Sequence, residues 1–280
     1  MNAIYRTSGT SKQAFHQYLD KQMRVLEEQQ QLLPVIRQIR ADHPRLSSRQ
    51  MYLLLRPQSM GRDKFEQFCY LYGFKLAVKK AYYRTTDSLG VTRFENLIIQ
   101  LELTGVNQVW VSDITYYRIG ERFYYLTFIL DLYSRFIVGY AASEGLLTQQ
   151  TTIPALNMAL KYREPAHGLI FHSDGGGQYY CKAFLTITKS NQIENSMCES
   201  VYENAHAERI NGTIKNDYLF YYAPQNYMQL VTLTAKAVNM YNSYRPHSAL
   251  GNISPVNYEL FTKSNVINKE KRSKKEILQQ

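Results

Sequence analysis

The sequence predicts an α/β protein preceded by an all-helical N-terminal region, and three observations predict it. Up to Tyr72, apolar residues recur at helical spacing in short, arginine-studded segments. From residue 106, three segments rich in β-branched and aromatic residues are separated by turn residues. After them, helical and strand patterns alternate, the layout of helices packed on a mixed sheet.

The elements follow in order. Residues 11–31 read as a helix that Ser11 caps, with Phe15, Tyr18, Leu19, Val25 and Leu26 near one stripe. Pro34 is expected to start a second helix with Val35, Ile36 and Ile39 inward. Ser47 or Ser48 caps a short helix through Leu55. Pro57 and Gly61 mark a turn, and Arg62–Tyr72 forms another helix with Phe65, Phe68, Cys69 and Tyr72 on one side. Short helices joined by a turn are like a helix-turn-helix module, although this turn is longer than usual. Residues 73–105, basic and then polar, read as a connector. QVWVSDITYY, RFYYLTFILDLY and RFIVGYAAS then form a three-stranded meander turning at Gly120-Glu121 and Ser134-Arg135. A helix is expected at 148–162, with Ile153, Leu156, Met158, Ala159 and Leu160 among its apolar positions. GLIFHSD is a short buried strand, 178–190 a helix, 193–197 a strand, 204–219 a helix, and a last helix runs from Pro224 to about Tyr244. The boundaries expected are 1–85 for the helical DNA-binding region, 86–105 for the linker, 106–262 for the core and 263–280 for a basic, mobile tail.

Charge divides the chain in the same way. The 280 residues carry a formal charge of +10, with a net of +8 over 1–99, −2 over 100–262 and +4 over 263–280. Basic ends suit phosphate contacts and an acidic middle suits a cation site. Three cysteines without a CxxC spacing argue against a disulfide framework or a zinc site and fit a reducing cytoplasm. No apolar run is long enough to span a membrane, and the first residues lack a signal-peptide pattern.

Three carboxylates stand where chemistry would use them. Asp113 lies inside an apolar strand beside Trp110, Val111, Ile114 and Tyr116, a costly place for a charge unless it is paired or bound to a metal. Asp174 ends GLIFHSD and enters Gly175-Gly176-Gly177, which leaves room for a sharp turn or a bulky ligand. Glu208 shares one helical face with Asn204 and Lys215, four residues before it and seven after it. Three such carboxylates suit two hard cations about 4 Å apart. Each alone has an ordinary explanation as a turn, cap or solvated residue; the combination carries the reading.

WVSDITY, DLYSRFIVGY, HSDGGGQY, ENAHAERINGTIK and YNSYRPHSALGNISPVNY occur in that order over roughly residues 106–260. This set resembles the catalytic subunit of insertion sequence 3 family transposases, with their DDE integrase core; residues 30–90 resemble that family's helix-turn-helix region more weakly. The resemblance implies an RNase H-like integrase core, with Asp113, Asp174 and Glu208 as the catalytic, metal-binding triad for two Mg²⁺ ions, for which Mn²⁺ substitutes. It implies cleavage of element ends and strand transfer by a 3′-hydroxyl, without a covalent protein–DNA intermediate. It also implies partners: terminal inverted repeats, target DNA, further copies of the chain on paired ends, and an upstream-frame helix-turn-helix protein. The setting implied is the bacterial cytoplasm and its nucleoid. Two departures stand out. Only 33 residues separate Asp174 from Glu208, two fewer than the family more often has. Glu203 and Gly175 stand where the family usually has Asp and a basic or polar residue. Glu203 is a rival third carboxylate, but it lies five residues before Glu208 and points off the face shared with Asn204 and Lys215.

Lys215, Arg209, Asn204, His172, Gln178, Arg245 and His247 are the expected DNA contacts, with Tyr116 in support. Lys215 leads them, and a structural histidine is the alternative for His172. Asp131 reads as a structural residue near Arg135, and Trp110 as core. The same triad would serve a nuclease or junction resolvase, and a DNA-binding protein without catalysis is the non-enzymatic alternative. The sequence lacks the Arg/His cluster of a tyrosine recombinase, the paired histidines of a rolling-circle enzyme and the GKS/T ending of a P-loop.

Overall fold

The first helix, α1, starts where Ser11 accepts a hydrogen bond from the Ala14 amide and runs without a break over Lys12–Asp42. The computed structural model describes residues 11–76, 94–165, 167–198 and 204–264. The break expected at Pro34 does not occur. An interior proline forfeits one backbone bond and costs roughly 3 kcal/mol. Here the helix must carry Leu32 and Ile36, one turn apart, into the same core, and that burial holds it through the proline. Val35 faces outward instead of inward, and Phe15, Tyr18, Leu19 and Leu26 are exposed along the first turns. Ser47, with Gln50, forms a reciprocal cap for α2 (Ser48–Leu55), and six residues separate it from α3 (Arg62–Leu71). Leu32, Ile36, Leu46, Met51, Met60, Phe65, Phe68 and Cys69 make the core of this helical unit. Tyr72 is exposed but rests on Phe68 with ring centroids 4.7 Å apart. Arg40 ties the unit together, donating to the carbonyls of Pro44, Leu46 and Phe74.

Beyond residue 94 the chain forms a second unit. Val109–Ile119 (β1), Arg122–Asp131 (β2) and Ile137–Ser143 (β3) pair as the expected antiparallel meander. Gly120, at a φ of 57°, makes the first turn. Thr152–Arg163 (α4) follows, then Ile170–Ser173 (β4), Gly177–Tyr180 (α5), Lys182–Ser190 (α6) and Glu194–Met197 (β5). The helix expected over 178–190 is thus two pieces, because Cys181 is extended and Tyr179 turns into the core. β4 and β5 add in parallel, giving the order β3-β2-β1-β4-β5. Ala205–Thr213 (α7) leads through a π-helical turn (Ile214–Leu219) into Phe220–Tyr222 (α8), and Tyr227–Tyr244 (α9) follows. A helix over 255–264 (α10) is present that the sequence pattern does not reveal. Residues 94–105, inside the expected linker, lie against this unit: the Leu97 amide donates to Ser196, and Ile98 and Leu103 join its core.

Strand alternation decides which side of the sheet each residue serves. Val109 and Val111 face α7 and α9, packing with Ala207, Ile210, Tyr218 and Tyr241. Trp110 faces the opposite layer, with Leu156, Phe171 and Phe184, and is fully buried as core. Two helical layers on a mixed sheet of this order make the RNase H-like fold. Among the described residues no helix is long and apolar enough to cross a membrane.

Candidate active site

Alternation places Asp113 on the same face of β1 as Val109 and Val111, under α7. β1 and β4 run in parallel, and their ladder ends at the pair Ser112–Ser173. One residue further along each strand stand Asp113 and Asp174, so the two acids leave adjacent strands side by side. Gly175, at a φ of 76°, turns the chain there; a Cβ on it would collide with the Met197 side chain. Asp174 lies at the surface, with Oδ1 accepting from the Gly176 amide at 3.1 Å.

α7 supplies the third side. Its stripe lies along β1 rung by rung. Asn204 donates to the Ser112 carbonyl at 3.1 Å, Asn211 to the Asp113 carboxylate at 2.8 Å, and Lys215 to Thr115 Oγ1 at 2.6 Å. Glu208 sits between Asn204 and Asn211 on that stripe and acts electrostatically on Asp113. Burial, aided by the charges of Asp174 and Glu208, pushes the Asp113 carboxyl up to about 7. Although one edge of Asp174 is exposed, burial of the rest of its carboxyl raises it likewise. Beneath them Tyr179 is buried, its hydroxyl 2.9 Å from Ser112 Oγ, and burial keeps that phenol protonated.

The donor set is what a hard divalent cation takes: carboxylate oxygens that repel one another, with Asn211 orienting the most buried of them. Among the described residues, however, no group of three or more His, Cys, Asp or Glu stands close enough together to hold a metal ion. Glu203, the rival, lies outside the described residues.

The expected DNA contacts separate into three groups. Lys215 is half-buried rather than solvated, lying 5.2 Å from the Tyr116 ring centre and within reach of Asp113; burial lowers its ammonium's pKa. Asn204 is buried, and Arg209 is exposed on another side of α7. His172 is fully buried and its Nδ1 is paired with Ser196 Oγ at 2.9 Å, the structural alternative. Gln178 donates to the Leu146 carbonyl. Arg245 is drawn inward by Asp217, at 2.7 Å, and the His247 ring packs edge-on against Tyr241. Asp131 is structural, as expected: four donors from Asn107, Tyr133 and Ser134 reach its carboxylate. The residues the sequence reading missed are Asn211, Ser112 and Tyr179. Asn211 was legible, because three residues after Glu208 puts it on the same face.

An Integrase core domain model matches residues 104–201, and a second model of that description matches 190–255. The chain is 36% identical over 201 residues to an uncharacterized 31 kDa protein of insertion element IS600 from Shigella sonnei, spanning 70% of this chain and 74% of that protein. It is 32% identical over 177 residues to transposase InsF for insertion sequence IS3A from Escherichia coli, spanning 61% of this chain and 60% of that one. Among solved structures, the simian T-cell lymphotropic virus intasome in complex with PP2A regulatory subunit B56 gamma has the same fold. The TM-score is 0.50 at 18% identity, covering 60% of this chain and 59% of that one.

Proposed function

From a chain that belongs to the insertion sequence 3 family of integrase-core transposases, and so to DNA transposition and integration, we infer that Asp113, Asp174 and Glu208 form its reaction centre. They would hold divalent cations, Mg²⁺ by preference with Mn²⁺ in its place, two per site, which would supply activation of the attacking oxygen and stabilisation of the leaving one in a phosphoryl transfer. The observation that carries the reading is Asp113: a carboxylate on a central strand, facing two further acids and given one side-chain donor, Asn211.

The chain's own groups divide the work. Asp113 is the shared acid, held in place by Asn211. Asp174 and Glu208 approach it from the strand end and from α7. Lys215, bonded to Thr115 and within reach of Asp113, stands beside the site, placed for a phosphate oxygen. Tyr179, a neutral phenol, supports the floor. The reaction is cleavage at element ends followed by attack of a 3′-hydroxyl on a target phosphodiester, with no covalent protein–DNA intermediate. Residues 1–85, helix-turn-helix-like and basic, bind the terminal inverted repeats, and 86–105 lead to a catalytic core over 106–262, with 94–105 packed against that core. The basic 263–280 segment adds phosphate contacts. Copies of the chain assemble on paired ends, with an upstream-frame helix-turn-helix protein as a further partner, at the bacterial nucleoid.

The test is strand transfer of a pre-cut element-end duplex into plasmid DNA, with Mg²⁺, with Mn²⁺ and with EDTA. Metal-dependent joined product is expected. Metal-dependent hydrolysis without joining would make the protein a nuclease. Salt-sensitive DNA binding without either reaction would remove the catalytic reading.

A further inference from the structure

A second set of side chains lies on another side of α7. Successive helical residues are about 100° apart. His206 and Arg209 therefore leave α7 away from the Asn204, Glu208 and Asn211 stripe. Within electrostatic reach of them stand Arg135, from the turn between β2 and β3, and His247, from the segment after α9 that also carries Arg245. Arg135 lies within electrostatic reach of Arg209 and Tyr241, and His247 within reach of Arg135, Arg209 and Arg245. His206 lies within reach of Arg135 and Arg209.

Three donors of this set are buried with no hydrogen-bond partner among the described residues. Arg135 is held at a left-handed φ of 60°, a conformation that strains a non-glycine residue. Its Nη1 is buried with no hydrogen-bond partner among the described residues. The acid closest to it in sequence, Asp131, already accepts from Asn107, Tyr133 and Ser134. Arg245 gives Nη2 to Asp217 at 2.7 Å and also bonds the Tyr218 hydroxyl, and against the cost of burial these partners raise its pKa; only its Nη1 is buried without a partner. So is His247 Nε2, whose ring is fixed edge-on against Tyr241. Elsewhere in this unit the buried Arg163 is met by both oxygens of Glu259, at 2.8 and 2.7 Å, which leaves its Nε alone without a partner. Among the described residues no carboxylate meets Arg135 in that fork geometry. Burying unmade donors costs about 1–3 kcal/mol each, and converging guanidiniums repel, so the arrangement suits an anion with several acceptor oxygens.

We propose that Arg135, Arg209 and His247, backed by Arg245 and His206, form a phosphate-binding site that takes a phosphodiester of the DNA strand passing the carboxylates. Burial and the neighbouring arginines push both histidines down to about 4, so at neutral pH each is uncharged and presents one donor. The arginines supply the charge and the histidines the direction. The ligand class rests on the reading above that this chain acts on DNA.

The experiment uses the full-length chain and a labelled duplex of the element end, with affinity measured across a series of KCl concentrations. Arg135→Gly removes the guanidinium while accepting the left-handed backbone; Arg135→Lys restores the charge without the fork. Arg209→Gln, at an exposed position, guards against a folding artefact. Each neutral variant is expected to reduce the slope of log affinity against log salt by about 0.9, the release expected for one phosphate contact. Arg135→Lys is expected to recover most of the slope. Inorganic phosphate is run in parallel as a thermal-shift ligand. Folded neutral variants with an unchanged slope would overturn the proposal. So would protection by inorganic phosphate that vanishes in Arg135→Gly while the slope holds, which would make this a free-phosphate site. Strand joining by the unaltered chain is scored separately: joining with an unchanged slope sinks only this site, and a lost slope without joining sinks only the catalytic reading.

Discussion

Asp113 and Asp131 are both enclosed acids on paired strands, and they differ in what surrounds them. Asp131 lies opposite Trp110, three residues along β1 from Asp113, and is fully buried. Four donors meet its two oxygens, at distances of 2.6 to 3.1 Å. Asp113 has Asn211 as its one side-chain donor and two acids as neighbours. Burial is common to both and so does not identify function. What separates them is compensation: one carboxylate takes four donors and closes a turn, and the other, beside two acids, has fewer donors than its burial and neighbours demand even with Lys215 in reach.

The largest expected effect breaks the satisfied acid. Asp131→Ala leaves the amides of Asn107, Tyr133 and Ser134 without their acceptor. At about 1–3 kcal/mol for each orphaned group, the loss is about 4 kcal/mol, seen as a fall of roughly 10 °C in Tm. A Tm shift below 2 °C would show that the turn does not depend on this carboxylate. The next effect concerns the uncompensated acid in metal-free buffer. With the Asp113 carboxyl raised from 3.8 to about 7, the folded chain holds a proton there that the unfolded chain releases. Its contribution is therefore full below about pH 4 and is lost as pH rises towards 7, a change on the order of a few kcal/mol. Asp113→Asn is expected to flatten that part of the denaturation-versus-pH curve and to melt no lower than the parent at pH 7. Equal slopes in the two proteins would mean that Asp113 is not raised. The smallest stability effect belongs to Asn211→Ala. It should cost about 1 kcal/mol in stability but about tenfold in joining rate, the usual consequence of losing a group that orients a ligand carboxylate. A rate loss no larger than the stability loss implies would place Asn211 outside the site.

The meander was legible because β-branched and aromatic residues alternate through it and Gly120 and Arg135 mark its turns. The three acids were legible from their settings: a charge in an apolar strand, a charge before three glycines, and a charge on a patterned helix. What the sequence hid depended on tertiary packing. Pro34 signals a helix start, and only the shared burial of Leu32 and Ile36 explains why α1 passes through it. The π-helical turn at Ile214–Leu219 has no local signature, yet it begins one residue before Lys215. Arg245 and His247 read as DNA contacts, and their pairing with Asp217 and packing on Tyr241 have no signature in the local sequence. The donors to Asp131 come from both sides of the strand in sequence, so its satisfaction could not be read from the strand alone.

The assignment of the third acid is the claim on which the rest depends. The direct measurement is the joining rate of Glu208→Gln beside that of Glu203→Gln, with element-end binding recorded for both. Glu208 shares the stripe of Asn204, Asn211 and Lys215, so Glu208→Gln should abolish joining, by at least a thousandfold, while ends are still bound; Glu203→Gln should join within a few-fold of the parent. Joining that survives in Glu208→Gln and is lost in Glu203→Gln would contradict the site described here.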